Sequence, residues 1–242
     1  MLKTEKICVK FPDGNQVLNQ LSFQINEGET VGIIGANGAG KSTLLMSIVG
    51  ILIPVEGKII IDELTVSKKN LREVRERVGV VFQNPDDQLF MADVYDDIAF
   101  GLRNYGVDEE SIKIKITNIM RTLDIERLTY QQSHKLSGGE KRIVALATIL
   151  VMEPSIILFD EPTSFLDPKT RRKLLGLLKE LSVTKLIATH DLDMALELCE
   201  RVIILKEGKI FADGKAKEIL TDEVLMMEAG LELPFCLQKI NT

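Results

Sequence analysis

Gly35-Ala36-Asn37-Gly38-Ala39-Gly40-Lys41-Ser42 has the spacing G-x-x-x-x-G-K-S. Glycines so placed let successive backbone N–H groups converge on one anion at a helix N-terminus. Lys41 is then within reach of the β- and γ-phosphates of a nucleoside triphosphate, and the Ser42 hydroxyl can ligate Mg²⁺. Far along the chain, Ile156-Ile157-Leu158-Phe159-Asp160-Glu161 is an apolar run ending in two carboxylates. Asp160 suits the second acidic position of such a site, holding Mg²⁺ directly or through water. Glu161 can polarise an attacking water; taken alone, it reads equally as a turn carboxylate ahead of Pro162. Together these residues point to phosphoryl transfer to water.

Leu136-Ser137-Gly138-Gly139-Glu140 is a third signal. Ser137 and Glu140 have the spacing of a capping box. Two glycines in a first helical turn cost about 1 kcal/mol each against alanine. Capping does not explain them, whereas an anion at the positive helix end would.

The elements that must position these groups are legible as periodicities. Residues 3–27 alternate apolar and polar positions around Pro12-Asp13-Gly14-Asn15, the pattern of an antiparallel hairpin. Glu29 to Ile34 feeds the glycine loop, and Lys41 to Val49 has helical spacing. Further strands are expected at 57–61, 78–82, 155–159, 185–189 and 202–205, with helices between the later ones. Residues 93 to about 132 are helical in character and more charged, broken at Gly106 and Asp124. Lys141 to Met152 is apolar nearly all round and so expected to be buried. Strands alternating with helices imply a mostly parallel sheet covered on both faces.

The phosphate loop, the L-S-G-G-E segment and the I-I-L-F-D-E strand, in that order, resemble the ATPase subunits of ABC transporters, and the match runs through nearly the whole chain. The resemblance implies an α/β fold of the P-loop NTPase class, ABC ATPase type. Its mostly parallel sheet would carry an antiparallel N-terminal β subdomain and an inserted helical subdomain. The ATPase domain is expected over residues 1–220, with the insertion at about 93–150, and a small helical extension over 221–242.

The resemblance also implies site roles. ATP would be bound by Phe11, Asn37, Gly38, Ala39, Gly40, Lys41, Ser42, Thr43, Gln83 and His190, with Mg²⁺ held by Ser42, Gln83 and Asp160. Glu161, His190, Lys41 and Gln83 would carry catalysis. Ser137, Gly138 and Gly139 would complete the site of a second ATPase subunit in a nucleotide-sandwich dimer, identical or not. By residue type alone, Gln83 is a polar strand end, His190 a structural histidine and Phe11 a hairpin core residue. Ser164-Phe165-Leu166-Asp167 matches the loop that crosses the dimer interface, except that Phe165 stands where the family has a small residue.

Gln83-Asn84-Pro85-Asp86-Asp87-Gln88-Leu89-Phe90 resembles the equivalent loop of energy-coupling factor transporter ATPases, which energise uptake of cobalt, nickel and vitamins. Gly230-Leu231-Glu232-Leu233-Pro234 resembles their tail. Read as residues, the first segment is also an ordinary polar turn. The resemblance implies separate transmembrane coupling and substrate-binding subunits, and a place at the cytoplasmic face of the cell membrane. A conventional ABC transporter, or a soluble ABC ATPase of translation or repair, is the alternative.

Composition bounds these readings. The chain has 242 residues, 45% hydrophobic and 27% charged, the balance of an ordinary globular domain. A net charge of -6 gives no general attraction to nucleic acid. Met1 to Lys10 has no signal-peptide pattern. Cys8, Cys199 and Cys236 are scattered without metal spacing.

Overall fold

A computed structural model of the chain describes residues 1–238. The last four residues of the expected 221–242 extension lie outside the described residues. Strands β1 (Leu2–Lys10) and β2 (Gln16–Ile25) pair antiparallel across the Pro12–Gly14 turn. Their alternation is interrupted by bulges at Lys6 and Gln20, both at positive φ. The extra residue lets Ile7 and Val9 face inward together with Leu2 and Thr4.

Strand β3 (Thr30–Ile34) is buried throughout and runs into the glycine loop and helix α1 (Lys41–Ile48). Strands β4 (Glu56–Ile61) and β5 (Leu64–Thr65) complete a four-stranded antiparallel sheet in the order β2-β1-β4-β5. Helix α2 (Leu71–Arg77), missed by the periodicity reading, leads into β6 (Val78–Val81). Then come helices α3 (Val94–Asn104), α4 (Glu109–Thr122) and α5 (Gly138–Leu150). Gly106 and Asp124, both at positive φ, end α3 and α4 as the breaks anticipated.

Strand β7 (Ile156–Asp160), helix α6 (Pro168–Glu180), strand β8 (Thr184–Thr189), helix α7 (Leu192–Leu198) and strand β9 (Arg201–Lys206) return the chain to the main sheet. Strand β10 (Lys209–Lys215) and helices α8 (Ala216–Leu220) and α9 (Glu223–Ala229) follow. The six-stranded sheet runs β10-β9-β3-β8-β7-β6, parallel except for β10. Placing β3 between β8 and β9 brings the ends of three distant segments to one edge. The expected α/β class, with its antiparallel N-terminal part and helical insertion, is therefore observed.

Among the described residues three apolar clusters hold these layers. One lies between the antiparallel sheet, α1 and one face of the main sheet, with Ile7, Leu18, Leu44 and Leu158 at its centre. A second joins Phe159, Leu178, Ile187 and Met226 on the opposite face. The third is internal to the helical insertion, where Val94, Ile98, Ile116 and Leu128 pack on Val144 of α5. Helix α5 is thus covered from two sides, which accounts for its apolar composition. The two sheets also meet directly, since the Asn19 N–H donates to the Gly208 carbonyl at 2.8 Å.

Candidate functional site

The glycine loop is shaped by close approach to the hairpin. Gly40 has φ +104, and a Cβ there would lie 2.5 Å from the Leu18 side chain of β2. Across the loop, the Lys41 ammonium donates to the Gly35 carbonyl at 2.7 Å and the Ala36 carbonyl at 3.2 Å. Burial pushes the Lys41 ammonium down, opposed by the nearby charges of Glu161 and Asp160. Parallel pairing of β3 with β8 and of β8 with β7 is what brings these carboxylates opposite the loop.

Burial pushes the Asp160 carboxyl up, opposed by its hydrogen bond with Ser42 and by Lys41, while Glu161 adds to the rise. Two hard oxygen donors in contact beside the phosphate loop suit Mg²⁺, which binds through one or two protein oxygens plus phosphate and water. Among the described residues no cluster of three or more His, Cys, Asp or Glu side chains could hold a metal by itself. The fit is therefore to an ion delivered with a phosphate.

Glu161 is only 6% exposed and sits at φ +48, just past the end of β7. Its N–H donates to the Ala188 carbonyl at 2.8 Å, which ties the turn to β8. One carboxylate oxygen accepts from the Thr189 hydroxyl at 3.0 Å and the His190 N–H at 3.3 Å. The other lies 2.7 Å from Nδ1 of His190. Thr189 accepts in turn from the Asp191 N–H at 2.9 Å. Every polar atom of Glu161 is thus held in place.

A cavity of about 500 Å³ opens over these groups. It gathers Phe11, Asn37, Gly38, Gly40, Lys41, Ser42, Thr43, Gln83, Asp160, Glu161 and His190. Ala39, in the same loop, is buried away from it. Asn15 and Val17 also line it and were missed. The hairpin fold carries them there, and only their closeness to Phe11 in sequence hinted at it. A cavity with an aromatic rim, an N–H-rich floor and two carboxylates can hold a nucleotide and activate water at its phosphate end.

Ser137, Gly138 and Gly139 do not line this cavity. The capping box is formed: the Ser137 N–H and hydroxyl donate to Glu140 at 2.9 and 2.7 Å, and Glu140 N–H donates back at 3.4 Å. The Ser137 hydroxyl, chiefly, holds the Glu140 carboxyl below its ordinary value. One glycine has an intrachain reason the sequence did not suggest. A Cβ on Gly139 would lie 2.5 Å from Thr170 of α6. Gly138 has open space around it, so no contact among the described residues accounts for a glycine there.

Helix α5 also grips the loop after β6. Arg142 is 3% exposed and donates to the Phe82 and Gln83 carbonyls at 2.7 and 2.6 Å. Gln88 bridges the Phe82 N–H to the Ala145 carbonyl and Thr148 hydroxyl of α5. Asp97, 5% exposed, accepts the Phe90 and Met91 N–H groups at 2.9 Å each and the Ser133 hydroxyl. Sequence reasoning missed Arg142 and Asp97, which lie inside helices with no motif of their own, and it quoted Gln88 within the Gln83–Phe90 segment without assigning it a role.

A family model described as ABC transporter matches residues 18–164. An ABC transporter ATP-binding protein of Geobacter sulfurreducens is 44% identical over 98% of this chain and 96% of its own length. An energy-coupling factor transporter ATP-binding protein of Clostridium perfringens is 39% identical over 97% of this chain and 84% of its own. Among solved structures, cbiO1 of Clostridium perfringens, described as part of the ABC transporter complex cbiONQ, superposes with a TM-score of 0.84. It is 39% identical and covers 95% of this chain and 94% of that one. A dimeric ATP-binding cassette bound to ADP and Pi gives a TM-score of 0.80 at 30% identity, over 89% of this chain and 99% of that one.

Proposed function

The chain belongs to the ABC transporter family as one of its dimerising ATPase subunits, and from that premise we propose that it powers an energy-coupling factor type importer of a metal ion or vitamin. The observation that carries this reading is the segment Gln83 to Phe90, whose sequence resembles that branch and which is held by Arg142 and Asp97 from outside and by its own Gln88 reaching helix α5. Its outer end presents Phe90, 62% exposed and edge-on to Phe100 with ring centroids 4.9 Å apart. Likeness to the cbiONQ component and the energy-coupling factor relative supports the same branch. Among the described residues no helix is long and apolar enough to cross a membrane.

In the proposed cycle two copies, or this chain and a close relative, enclose two ATP molecules. The loop N–H groups and Lys41 hold the β- and γ-phosphates, with Phe11 against the adenine. Ser42, Asp160 and Gln83 would hold Mg²⁺, which when bound spreads the charge building on the phosphates. Glu161 accepts a proton from the attacking water, and His190 positions the γ-phosphate. Ser137, Gly138 and Gly139 reach the phosphates of the opposite copy. Loss of the γ-phosphate removes what both halves share, and the dimer opens.

Affinity capture after co-expression with candidate membrane subunits tests the branch assignment. Retention of a coupling subunit, and its loss on Phe90→Glu with ATPase intact, is the expected result. Capture only of paired conventional permease domains would sink the importer reading and leave the ATPase standing.

A further inference from the structure

Phe165 is 94% exposed and sits at φ +63 in the turn between β7 and α6. A bulky residue in the left-handed region is uncommon, and strain of this kind clusters at clamps and switches. Among the described residues nothing shelters the ring. Beside it lies a hollow of about 810 Å³, with Ser164, the preceding residue, in its wall. Leu231, Leu233 and Pro234 of the tail line it together with Leu192, and Arg171 and Asp191 add charged groups. The tail is fastened there by the Phe235 and Cys236 N–H groups, which donate to Asp193 at 3.0 and 2.9 Å. His190 lines both this hollow and the nucleotide cavity, so the two are contiguous.

A knob next to a hole on one face is the pattern that a two-fold axis makes self-complementary: each copy gives the knob and receives the other's. We propose that Phe165 inserts into the tail hollow of a second copy of this chain, making the tail a receptor in the ATP-bound dimer. This rests on the reading that two copies close around ATP. It assigns a particular anchor and a particular socket within that closure. An aromatic ring moving from full exposure to burial is the kind of contact that dominates an interface.

The test uses the full chain carrying Glu161→Gln with Mg-ATP. Phe165→Ala is expected to weaken ATP-dependent self-association in sedimentation by at least about tenfold, the scale of one buried aromatic ring. Because the ring is almost fully exposed among the described residues, thermal stability should be unchanged. In parallel, a Phe165→Cys, Cys236→Ser chain is mixed with a parent chain whose exposed Cys236 has been shown to accept maleimide. A short bismaleimide should then give a covalent dimer with Mg-ATP and none with ADP. Dimers that form normally without this crosslink, or that are indifferent to Phe165→Ala, overturn the proposal and leave the dimer reading intact. A parent chain that stays monomeric with Mg-ATP overturns both this proposal and closure between two identical copies.

Discussion

Nδ1 of His190 lies 2.7 Å from Oε1 of Glu161, while the Thr189 hydroxyl holds the other oxygen of the same carboxylate. An ionised Glu161 only accepts, so Nδ1 carries the proton and Nε2 of a neutral ring is left as an acceptor. To donate to a phosphate while keeping this bond, the ring must be doubly protonated. Otherwise the phosphate must draw it off the carboxylate, freeing Glu161 for water.

Glu161→Gln is expected to cut phosphate release at saturating ATP by at least about 100-fold, the scale of a positioned general base. ATP binding should persist, measured by equilibrium filtration. Hydrolysis at the parent rate would remove Glu161 from the role of base.

Thr189→Val separates orientation from binding. It deletes one bond to Glu161 and the acceptor of the Asp191 N–H, with little change of shape. A loss of about tenfold in kcat is expected with KM for ATP unaltered, as one hydrogen bond of roughly 1.4 kcal/mol implies. A rise in KM with kcat intact would mean that the hydroxyl serves nucleotide binding instead.

The capping box gives a contrast within four residues. Ser137→Arg should abolish turnover, whereas Glu140→Gln should leave most ATPase and cost about 0.5–1 kcal/mol of stability. The Glu140 carboxyl is held below its ordinary value of 4.5, so its contribution is present above that pH. It disappears as pH falls through the lower folded value. The gap in melting temperature between parent and Glu140→Gln should therefore close on acidification below about 4.5; a gap that widened would reverse the assignment.

Gly139→Ala sets two effects against each other. Helix propensity favours alanine by about 1 kcal/mol. Overpacking against Thr170 costs about 1–3 kcal/mol and should win. Urea unfolding should show net destabilisation, relieved by adding Thr170→Ser. A stabilised single variant would show that α6 yields freely.

Arg142→Leu should lower unfolding free energy by about 2–3 kcal/mol, because two carbonyls lose a charged donor. Arg142→Lys should recover only part, lacking the fork that serves both. Equal stability of all three chains would mean that the burial which pushes this guanidinium's pKa down cancels its bonds.

The sequence made the chemistry at chain-local sites legible. A glycine loop, an apolar strand ending in two acids and a capping box each occupy a few consecutive residues, so spacing alone exposes them. The hairpin turn and the helix breaks at Gly106 and Asp124 were readable for the same reason. What escaped depends on contacts between distant segments. Gly139 faces Thr170 across helices, and Asn15 and Val17 reach the cavity only because β2 folds against the loop. Helix α2 and strand β10 are short and mixed in polarity, so tertiary pairing rather than pattern decides them.

Asp97 joins two loops that the sequence keeps far apart, taking the amides of Phe90 and Met91 on one oxygen and the hydroxyl of Ser133 on the other. A push delivered at Phe90 cannot be absorbed there, because the same carboxylate anchors the residues that lead into Ser137. Under the proposed function the helical insertion would work as a crank, with displacement at its outer end passed to the L-S-G-G-E turn. Force on the surface and occupancy of a neighbour's ATP site would then be two readings of one movement.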